Sequence, residues 1–372
     1  MAKGTSTFRH APGDTREQTM TPFVYNANPS RVIFGSGTIA KLPEEIARLG
    51  AARAIVLSTP EQASEAQALA QQLAGQSSGV FSGARMHTPG DVTELAMTAV
   101  RDAGADCIVA LGGGSTIGLG KAIALRTDLP QIAIPTTYAG SEATPILGET
   151  VDGVKSTQSS PKVLPEVILY DVDLTMSLPV SLSITSGINA IAHAVEGLYS
   201  QQSNPIISLV AEEGIRALAN ALPRIKEAPE DLEGRSDALY GAWLCGTTLG
   251  AVGMALHHKL CHTIGGSFEM PHAETHTVML PHALAYNAPY VAAAMQRIER
   301  ALGTADAPLA LFELARTLGG PTSLKELGMP REGLDRVVQL TFAKPYWNPA
   351  PLERNRLEGL LERAWEGSPP EV

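Results

Sequence analysis

The residues of this chain with the clearest capacity for chemistry are histidines. Six of its nine histidines fall within residues 256–282: His257, His258, His262, His272, His276 and His282. Asn189 precedes His193 by four residues and His258 precedes His262 by four, so each pair shares one face of a helix. Imidazoles that converge on one cleft would bind a transition metal or transfer protons. The alternative, in which backbone or water satisfies each histidine separately, explains so dense a group less well.

A glycine-rich loop predicts a phosphate-binding site. Gly112, Gly113, Gly114 and Ser115 follow the apolar segment of residues 107–111 and precede a helical pattern. Glycine lets the backbone approach a diphosphate closely, and a helix N-terminus offers N–H groups and partial positive charge. Three glycines alone are also typical of a plain turn, and the spacing is not the GxGxxG dinucleotide motif. The position between strand and helix favours the nucleotide.

A second polar loop follows the next predicted strand. Thr136, Thr137 and Tyr138 come directly after Pro135, and Ser141 lies three residues further on. These hydroxyls suit a ribose, a phosphate or an adenine, although Ser141 or Thr137 would equally cap a helix. Loops at the carboxyl ends of parallel strands gather where ligands bind. Together the two loops predict a nicotinamide dinucleotide.

The cofactor prediction covers both NADH and NADPH. Where an Asp or Glu that binds ribose would follow the strand ending at Leu57, the chain has Ser58 and Thr59. Because these residues would not repel a 2′-phosphate, we expect both cofactors to be accepted.

The order of elements predicts an α/β, Rossmann-like N-terminal domain and an all-α C-terminal domain. Strand patterns alternate with helical ones, the strands at residues 53–58, 79–85, 107–111 and 131–135 and the helices at 64–74 and 92–103. This alternation indicates βαβ units and a largely parallel sheet.

After about residue 174 the patterns are helical, at residues 181–200, 205–221, 231–250 and 332–343, with Pro223 and Pro281 expected as breaks. We therefore predict a flexible extension (1–22), a nucleotide-binding domain (23–172) and a helical catalytic domain (173–372).

Composition narrows the partners and the compartment. A net charge of −10 without a long basic run argues against nucleic acid. No stretch reaches the length of a membrane helix, and the first residues lack the apolar core of a secretory signal. Cys107, Cys245 and Cys261 form no CxxC pair, which favours a reducing, cytoplasmic setting.

In this order the motifs resemble those of the iron-containing alcohol dehydrogenase superfamily, whose architecture is dehydroquinate synthase-like. The resemblance runs from Phe23 through both loops, the G-x-x-A-x-x-H-A-x-E helix around His193 and the H-x-x-x-H…P-H block that starts at His258. It implies a cofactor in the cleft between the two domains, and a homodimer. It places the four residues of the glycine-rich loop at the pyrophosphate, Thr136 and Thr137 beside the adenosine, and Lys155 near the nicotinamide.

The resemblance also marks the family's four metal positions, which fall on Asn189, His193, His258 and His272, with His262 as the cleft histidine. Metal-dependent members have aspartate where this chain has Asn189. The change removes the set's only anionic ligand, so we expect no metal. Zn²⁺ on three histidines and a water remains open.

Asn189 and the segments at residues 144–150, 257–262 and 346–349 are similar to the maleylacetate reductase branch of the superfamily. This similarity implies reduction of the C=C bond of maleylacetate to 3-oxoadipate by NADH or NADPH, in the degradation of aromatic compounds, without a metal. His258 and His262, with Tyr346, are then expected to donate hydrogen bonds and a proton to the enolate. The residues expected to bind or orient the dicarboxylate are Asn189, His193, His257, Lys259 and His272, with Tyr138 as a further contact.

Three alternatives stay open at this point. The nearest is a metal-dependent alcohol or polyol dehydrogenase of the same superfamily. A lyase similar to dehydroquinate synthase would use NAD only transiently, and a nucleotide sensor would bind NADH without turnover.

Overall fold

The computed structural model describes residues 22–28, 30–151, 154–344 and 346–372, except the side chains of residues 154 and 155. The predicted N-terminal extension, residues 1–22, lies outside the described residues apart from Pro22.

A parallel sheet of six strands forms the first half. Its strands are β1 (Arg31–Phe34), β2 (Ala54–Leu57), β3 (Ser77–Phe81), β4 (Cys107–Gly112), β5 (Gln131–Pro135) and β8 (Val167–Tyr170). The spatial order is β1-β8-β5-β4-β2-β3, and β6 (Ile146–Val151) pairs with β7 (Val154–Ser159) in a separate antiparallel hairpin. Strands β2, β4, β5 and β8 are buried along their whole length, since both faces are covered by helices.

The helices of this half are α1 (Leu42–Arg48), α2 (Ala63–Gln72), α3 (Gly90–Ala103) and α4 (Gly114–Thr127). The chain leaves β2 for β3 on one side and returns to β4 on the other side. This reversal makes a crevice outside the carboxyl ends of β2 and β4, where ligands bind in such sheets.

The second half is helical. Its helices are α5 (Val180–Tyr199), α6 (Pro205–Glu227), α7 (Leu232–Ala251), α8 (Leu256–Phe268), α9 (His272–Asn287), α10 (Ala292–Leu302), α11 (Ala307–Leu318), α12 (Gly333–Ala343) and α13 (Arg354–Glu366). Residues 183–199 of α5 are all buried, because apolar and small residues surround this helix on every side. At Gly187, an added Cβ would lie 2.8 Å from Cδ2 of Leu222, so α5 packs too closely on α6 for a larger residue. The polar groups of α5 are therefore held in the interior.

The predicted fold class is confirmed, and several predicted details are wrong. Strand β3 ends at Phe81, not at residue 85, and the sequence patterns did not reveal β1 or β8. Pro223 and Pro281 lie inside α6 and α9 and do not end them. Packing of long buried faces offsets the hydrogen bond that each proline removes. The domain limits stay a prediction; the last strand ends at Tyr170 and α5 begins at Val180.

Within the described ranges, no single helix has the length and apolar character to cross a membrane, while the bent pair α7 and α8 meets that test by length and composition alone.

Candidate active site

The glycine-rich loop lies at the carboxyl end of β4. The strand ends at Gly112, Gly113 is the N-cap of α4, and Ser115 lies in the first turn of that helix. Gly112 has a φ of 149°, which favours glycine. A Cβ on Gly113 would lie 2.8 Å from Cγ2 of Thr137, so the two loops approach each other closely. The free N–H groups of α4 therefore open onto the crevice, beside the second loop.

The second loop is tied to the first half by hydrogen bonds. The backbone N–H of Thr136 donates to the carbonyl of Gly112 at 3.2 Å. Nε2 of Gln62, in the turn after β2, donates to Oγ1 of Thr136 at 3.2 Å. The hydroxyl of Thr136 is therefore engaged with protein, whereas Thr137 is half-buried beside Gly113.

A buried lysine holds the end of the second loop. Lys121 of α4 is 1% exposed, and its Nζ donates to the carbonyl oxygens of Ser141 at 2.6 Å, Thr144 at 2.8 Å and Ile146 at 2.9 Å. Burial lowers the pKa of Lys121 to about 7, and the charge of Glu142 opposes this shift. The lysine satisfies three carbonyls at once and so fixes the loop where it faces the crevice.

The side chain of Tyr138 is engaged within the protein. Its side chain is fully buried, and its hydroxyl accepts a hydrogen bond from Nη1 of Arg235 on α7 at 3.3 Å. Its backbone N–H donates to Oγ of Ser186 on α5 at 3.4 Å. These contacts favour a structural role for the side chain over the predicted contact with the cofactor or the substrate. Tyr138 belongs to the core that joins the two halves.

The edge of the sheet fits a dinucleotide. A cradle that a Cβ would fill lies at Gly112 and Gly113, and the helix N-terminus at Gly114 is exposed. The hydroxyl of Ser141 is buried without a hydrogen-bond partner in the part of the chain that is described, and it lies 4.0 Å from an ideal Cβ of Gly114. The predicted contact Lys155 pairs through its backbone with Thr150, and its side chain lies outside the described residues.

Six imidazoles from three helices form what we call the histidine group: His193 of α5, His257, His258 and His262 of α8, and His272 and His276 of α9. The ring centroids of His193 and His258 lie 5.0 Å apart, and those of His272 and His276 lie 4.3 Å apart. Burial is graded across the group, since His276 is 0% exposed whereas His272 is half-buried and His262 is exposed. The structure thus brings together the predicted histidines and leaves His262 at the open side.

A chain of hydrogen bonds runs through the buried side of this group. Nδ1 of His258 lies 2.6 Å from Oε2 of Glu196, and the carboxylate also accepts backbone N–H groups of Ala255, His257 and His258. A carboxylate only accepts, so Nδ1 of His258 donates and its Nε2 accepts from Nδ1 of His193 at 2.9 Å. Nε2 of His193 then accepts from the amide Nδ2 of Asn189 at 3.4 Å. An aspartate at this position would have no proton to donate.

The buried imidazoles are held neutral. Burial lowers the pKa of His193, His258 and His276 well below the usual value, and neighbouring imidazoles add to the shift. Burial lowers the pKa of His257 to about 3. His258 and His262 were both predicted as sources of the proton, but the N–H of His258 is engaged by Glu196 and its ring disfavours the charged form. A positioning role fits His258 better, and His262 stays the predicted proton donor.

The four family positions lack an anionic ligand, and hydrogen bonds join three of them in this arrangement. The Nε2 lone pairs of His193 and His258 both accept N–H hydrogen bonds, and no anion is present among Asn189, His193, His258 and His272. Oδ1 of Asn189 is buried without a hydrogen-bond partner among the described residues, but a neutral amide is a weaker ligand than a carboxylate.

Tyr346 and Lys259 form a second polar contact near the group. Nζ of Lys259 lies 5.6 Å from the centroid of the Tyr346 ring. The hydroxyl of Tyr346 is buried and has no hydrogen-bond partner in the described part of the chain. Burial, and then the charge of Glu196, raises the pKa of Tyr346, so the phenol keeps its proton. It is therefore a hydrogen-bond donor without an assigned acceptor.

Three contributors escaped sequence reasoning. His276 lies four residues after His272 on one helix face, which was the available signal. Glu196 lies three residues after His193 within the same helix motif. Lys121 carried no signal, because its partners are carbonyl groups.

Comparison with known proteins agrees with this architecture. The family model described as iron-containing alcohol dehydrogenase matches residues 29–172, and the model for the C-terminal part of the Fe-containing alcohol dehydrogenase family matches residues 183–365. Together they match most of the chain.

The chain is also similar to individual members. It is 56% identical to the maleylacetate reductase of a Rhizobium species, over 95% of this chain and 100% of that protein. It is 54% identical to the maleylacetate reductase of Burkholderia cepacia, over 94% of this chain and 100% of that protein. The crystal structure of maleylacetate reductase from Agrobacterium tumefaciens superposes with a TM-score of 0.91 at 56% identity, covering 94% of this chain and 100% of that chain. This protein therefore belongs to the iron-containing alcohol dehydrogenase family, and within it to the branch that contains the maleylacetate reductases.

Proposed function

We propose that this protein reduces the C=C bond of maleylacetate, a small dicarboxylate, to 3-oxoadipate with NADH or NADPH and without a metal. The product would be formed late in the degradation of aromatic compounds. The observation that carries the proposal is the buried hydrogen-bond chain Asn189–His193–His258–Glu196. It engages three of the four family metal positions in a protein that is 56% identical to a maleylacetate reductase.

The substrate sets two chemical requirements. When bound, the reduced nicotinamide supplies a hydride to the carbon β to the ketone. The ketone oxygen then carries the charge of an enolate and needs a hydrogen-bond donor, and the α-carbon needs a proton. His262, at the open side of the histidine group, is proposed to supply the proton, and the unpartnered hydroxyl of Tyr346 is proposed to donate to the oxygen.

The rest of the site orients the substrate. Lys259 is half-buried beside Tyr346 and would attract one carboxylate of the substrate, and His272 would contact the other. The wall of the proposed substrate site would be formed by His193, His258 and Asn189. Their hydrogen bonds to one another and to Glu196 keep these side chains in place. His257 lies behind that wall, where its Nε2 bonds to His276 at 2.9 Å.

A metal-dependent alcohol or polyol dehydrogenase is the second candidate. The family description itself names iron, and Oδ1 of Asn189 has no hydrogen-bond partner among the described residues, although its Nδ2 lies 3.4 Å from Nε2 of His193. The two candidates differ in what a metal does to turnover.

The decisive assay uses chelator-treated protein whose metal content has been measured. We expect maleylacetate to be reduced with stoichiometric loss of NADH, and added Fe²⁺ or Zn²⁺ not to raise the rate. Activity that disappears on chelation and returns with Fe²⁺ would overturn the metal-free proposal. Stoichiometric consumption of NADH also excludes a lyase that uses NAD transiently.

The matched variant is Asn189→Asp. Because aspartate restores the anionic ligand and removes the amide donor, we expect this variant to gain Fe²⁺ or Zn²⁺ affinity and to lose metal-free activity. Equal metal content in both proteins would show that Asn189 is not what keeps the metal out.

We also expect similar turnover with NADH and NADPH, since Ser58 and Thr59 follow β2. A several-thousandfold preference for NADH in steady-state kinetics would contradict this. A homodimer in the cytoplasm, with no nucleic-acid or membrane partner, completes the proposal.

A further inference from the structure

Three buried side chains of the histidine region are left over by the proposed reaction. His257 and Cys261 lie four residues apart on α8, and His276 faces them from α9. One nitrogen or sulfur atom of each lies within 4.8 Å of the others. We propose that these three residues, which we call the trio, bind a zinc-type divalent cation at a site separate from the four family positions.

The donor set supports this class of ion. Two imidazole nitrogens and one thiolate sulfur are ligands that Zn²⁺ prefers, with a water or another ligand in the fourth position. The thiolate also supplies the negative charge that the family positions lack once residue 189 is asparagine. On binding, the thiol of Cys261 releases its proton to solvent and its sulfur forms the bond to the cation.

The distances are close to those a tetrahedral site needs. Sγ of Cys261 lies 3.7 Å from Nε2 of His257, and about 3.6 Å is expected when sulfur and nitrogen ligate one Zn²⁺. Nε2 of His257 and Nδ1 of His276 are hydrogen-bonded at 2.9 Å and would separate to about 3.3 Å. Only small movements of the rings are required.

A second observation points to a ligand at this place. Nε2 of His276 is fully buried and has no hydrogen-bond partner within the described residues. A buried polar atom without a partner is costly, so the ring of His276 is not fully satisfied by its hydrogen bond to His257. The three side chains of the trio are buried, and the next residue along α8, His262, is exposed.

Occupancy of the trio would affect turnover, a consequence that rests on the proposed function. The ring centroid of His276 lies 4.3 Å from that of His272 and 5.1 Å from that of His258. A cation that fixes His276 would also fix this packing and remove the hydrogen bond to His257. We therefore expect Zn²⁺ to inhibit the reaction, in contrast to a family metal, which would activate it.

Cobalt absorption tests the site without any need for turnover. Metal-free full-length protein is titrated with Co²⁺ and followed for d–d bands and a thiolate-to-cobalt charge-transfer band. We expect both bands in the wild type and loss of the charge-transfer band in Cys261→Ser. Cys245→Ser is the matched control, because Cys245 is an equally buried cysteine on α7 outside the trio, and it should keep the band. No charge-transfer band in the wild type, or an unchanged band in Cys261→Ser, would overturn the proposal.

A second variant guards against misfolding of the first. His257→Gln should weaken Co²⁺ binding by more than about 10-fold, since loss of even an outer partner of a metal site costs roughly 10–100-fold. His272→Ala, which removes a family position, should leave the cobalt spectrum unchanged. If His272→Ala abolishes the spectrum and His257→Gln does not, the cation occupies the family site and the trio is not a site. These spectra remain informative even if maleylacetate proves not to be the substrate.

Discussion

The carboxyl edge of the sheet, where the glycine-rich loop and the second loop meet, is here called the nucleotide edge. It and the histidine group are built in opposite ways. At the edge, two short loops follow the adjacent strands β4 and β5. The space for a ligand there depends on the backbone and on glycines that have no side chain, such as Gly113. In the histidine group the parts come from three helices, and Glu196 reaches His258 across 62 positions of sequence. A short sequence motif can therefore indicate where an edge of the sheet lies. The hydrogen bonds and pKa values of the histidine group, in contrast, depend on how three helices pack.

The two regions also treat charge differently. The edge contains a buried lysine, Lys121, whose amine is satisfied by three carbonyl groups. The buried side of the histidine group contains one carboxylate, Glu196, at the end of a chain of neutral imidazoles. Proton transfer is thus expected at the open side of the group, where His262 is exposed.

Replacement of that exposed imidazole should give the largest effect. His262→Ala removes the proposed proton donor, and we expect kcat to fall by about 10²–10⁴-fold with little change in the Kd for NADH. Thr263→Ala is the control, because its hydroxyl donates to the carbonyl of Lys259 within α8. A variant at His262 that keeps near-normal kcat would move the reactive group to another side chain.

The sequence was sufficient for one region and insufficient for the other. Gly112 to Ser115 could be placed between a strand and a helix at the carboxyl edge of the sheet, because strand, glycines and helix are consecutive. The difficulty at Tyr138 is of a different kind: Arg235, 97 positions away, takes its hydroxyl, and no local pattern contains that partner. The loss of a donor role for His258 likewise follows from Glu196, whose importance depends on where α8 begins.

The fold shows the same limit. The patterns predicted β4 and β5 to within one residue of the observed bounds, since both are apolar runs between helices. The prolines of α6 and α9 led to wrong helix ends, because tertiary packing outweighs the tendency of a proline to break a helix.

Burial of neutral imidazoles should lower the unfolding free energy at acidic pH. His282 of α9 allows this effect to be measured outside the histidine group. Burial lowers the pKa of His282 from 6.5 to about 4, so between these values the unfolded chain binds a proton that the folded chain does not. The contribution to stability is therefore present above pH 6.5 and is lost as the pH falls towards 4. Relative to His282→Gln, the wild type should lose about 3 kcal/mol of unfolding free energy across this range.

This prediction is checked by denaturant unfolding of both proteins at several pH values. Parallel pH curves would show that folding does not lower the pKa of His282.

A side chain added in the glycine-rich loop tests whether NADH binds at the nucleotide edge. A side chain on Gly113 would press on Thr137, so Gly113→Val should raise the Kd for NADH by roughly 5–150-fold, the equivalent of about 1–3 kcal/mol of overpacking. Gly359→Val on α13 is the matched control, since a Cβ there would meet nothing within 4 Å. Fluorescence titration with NADH measures both. Equal affinities would mean that the cofactor does not use this loop.

The smallest effect is expected where the two regions join. Tyr138→Phe removes the hydroxyl that accepts from Arg235, and Arg235 keeps its bonds to Ser183 and to backbone carbonyls. The unfolding free energy should therefore fall by about 1 kcal/mol, with no change in the Kd for NADH. Tyr240→Phe, on the same helix as Arg235, controls for loss of a tyrosine hydroxyl. If Tyr138→Phe instead weakens NADH binding at unchanged stability, its hydroxyl contacts the cofactor, and the loop must turn outward when the dinucleotide binds.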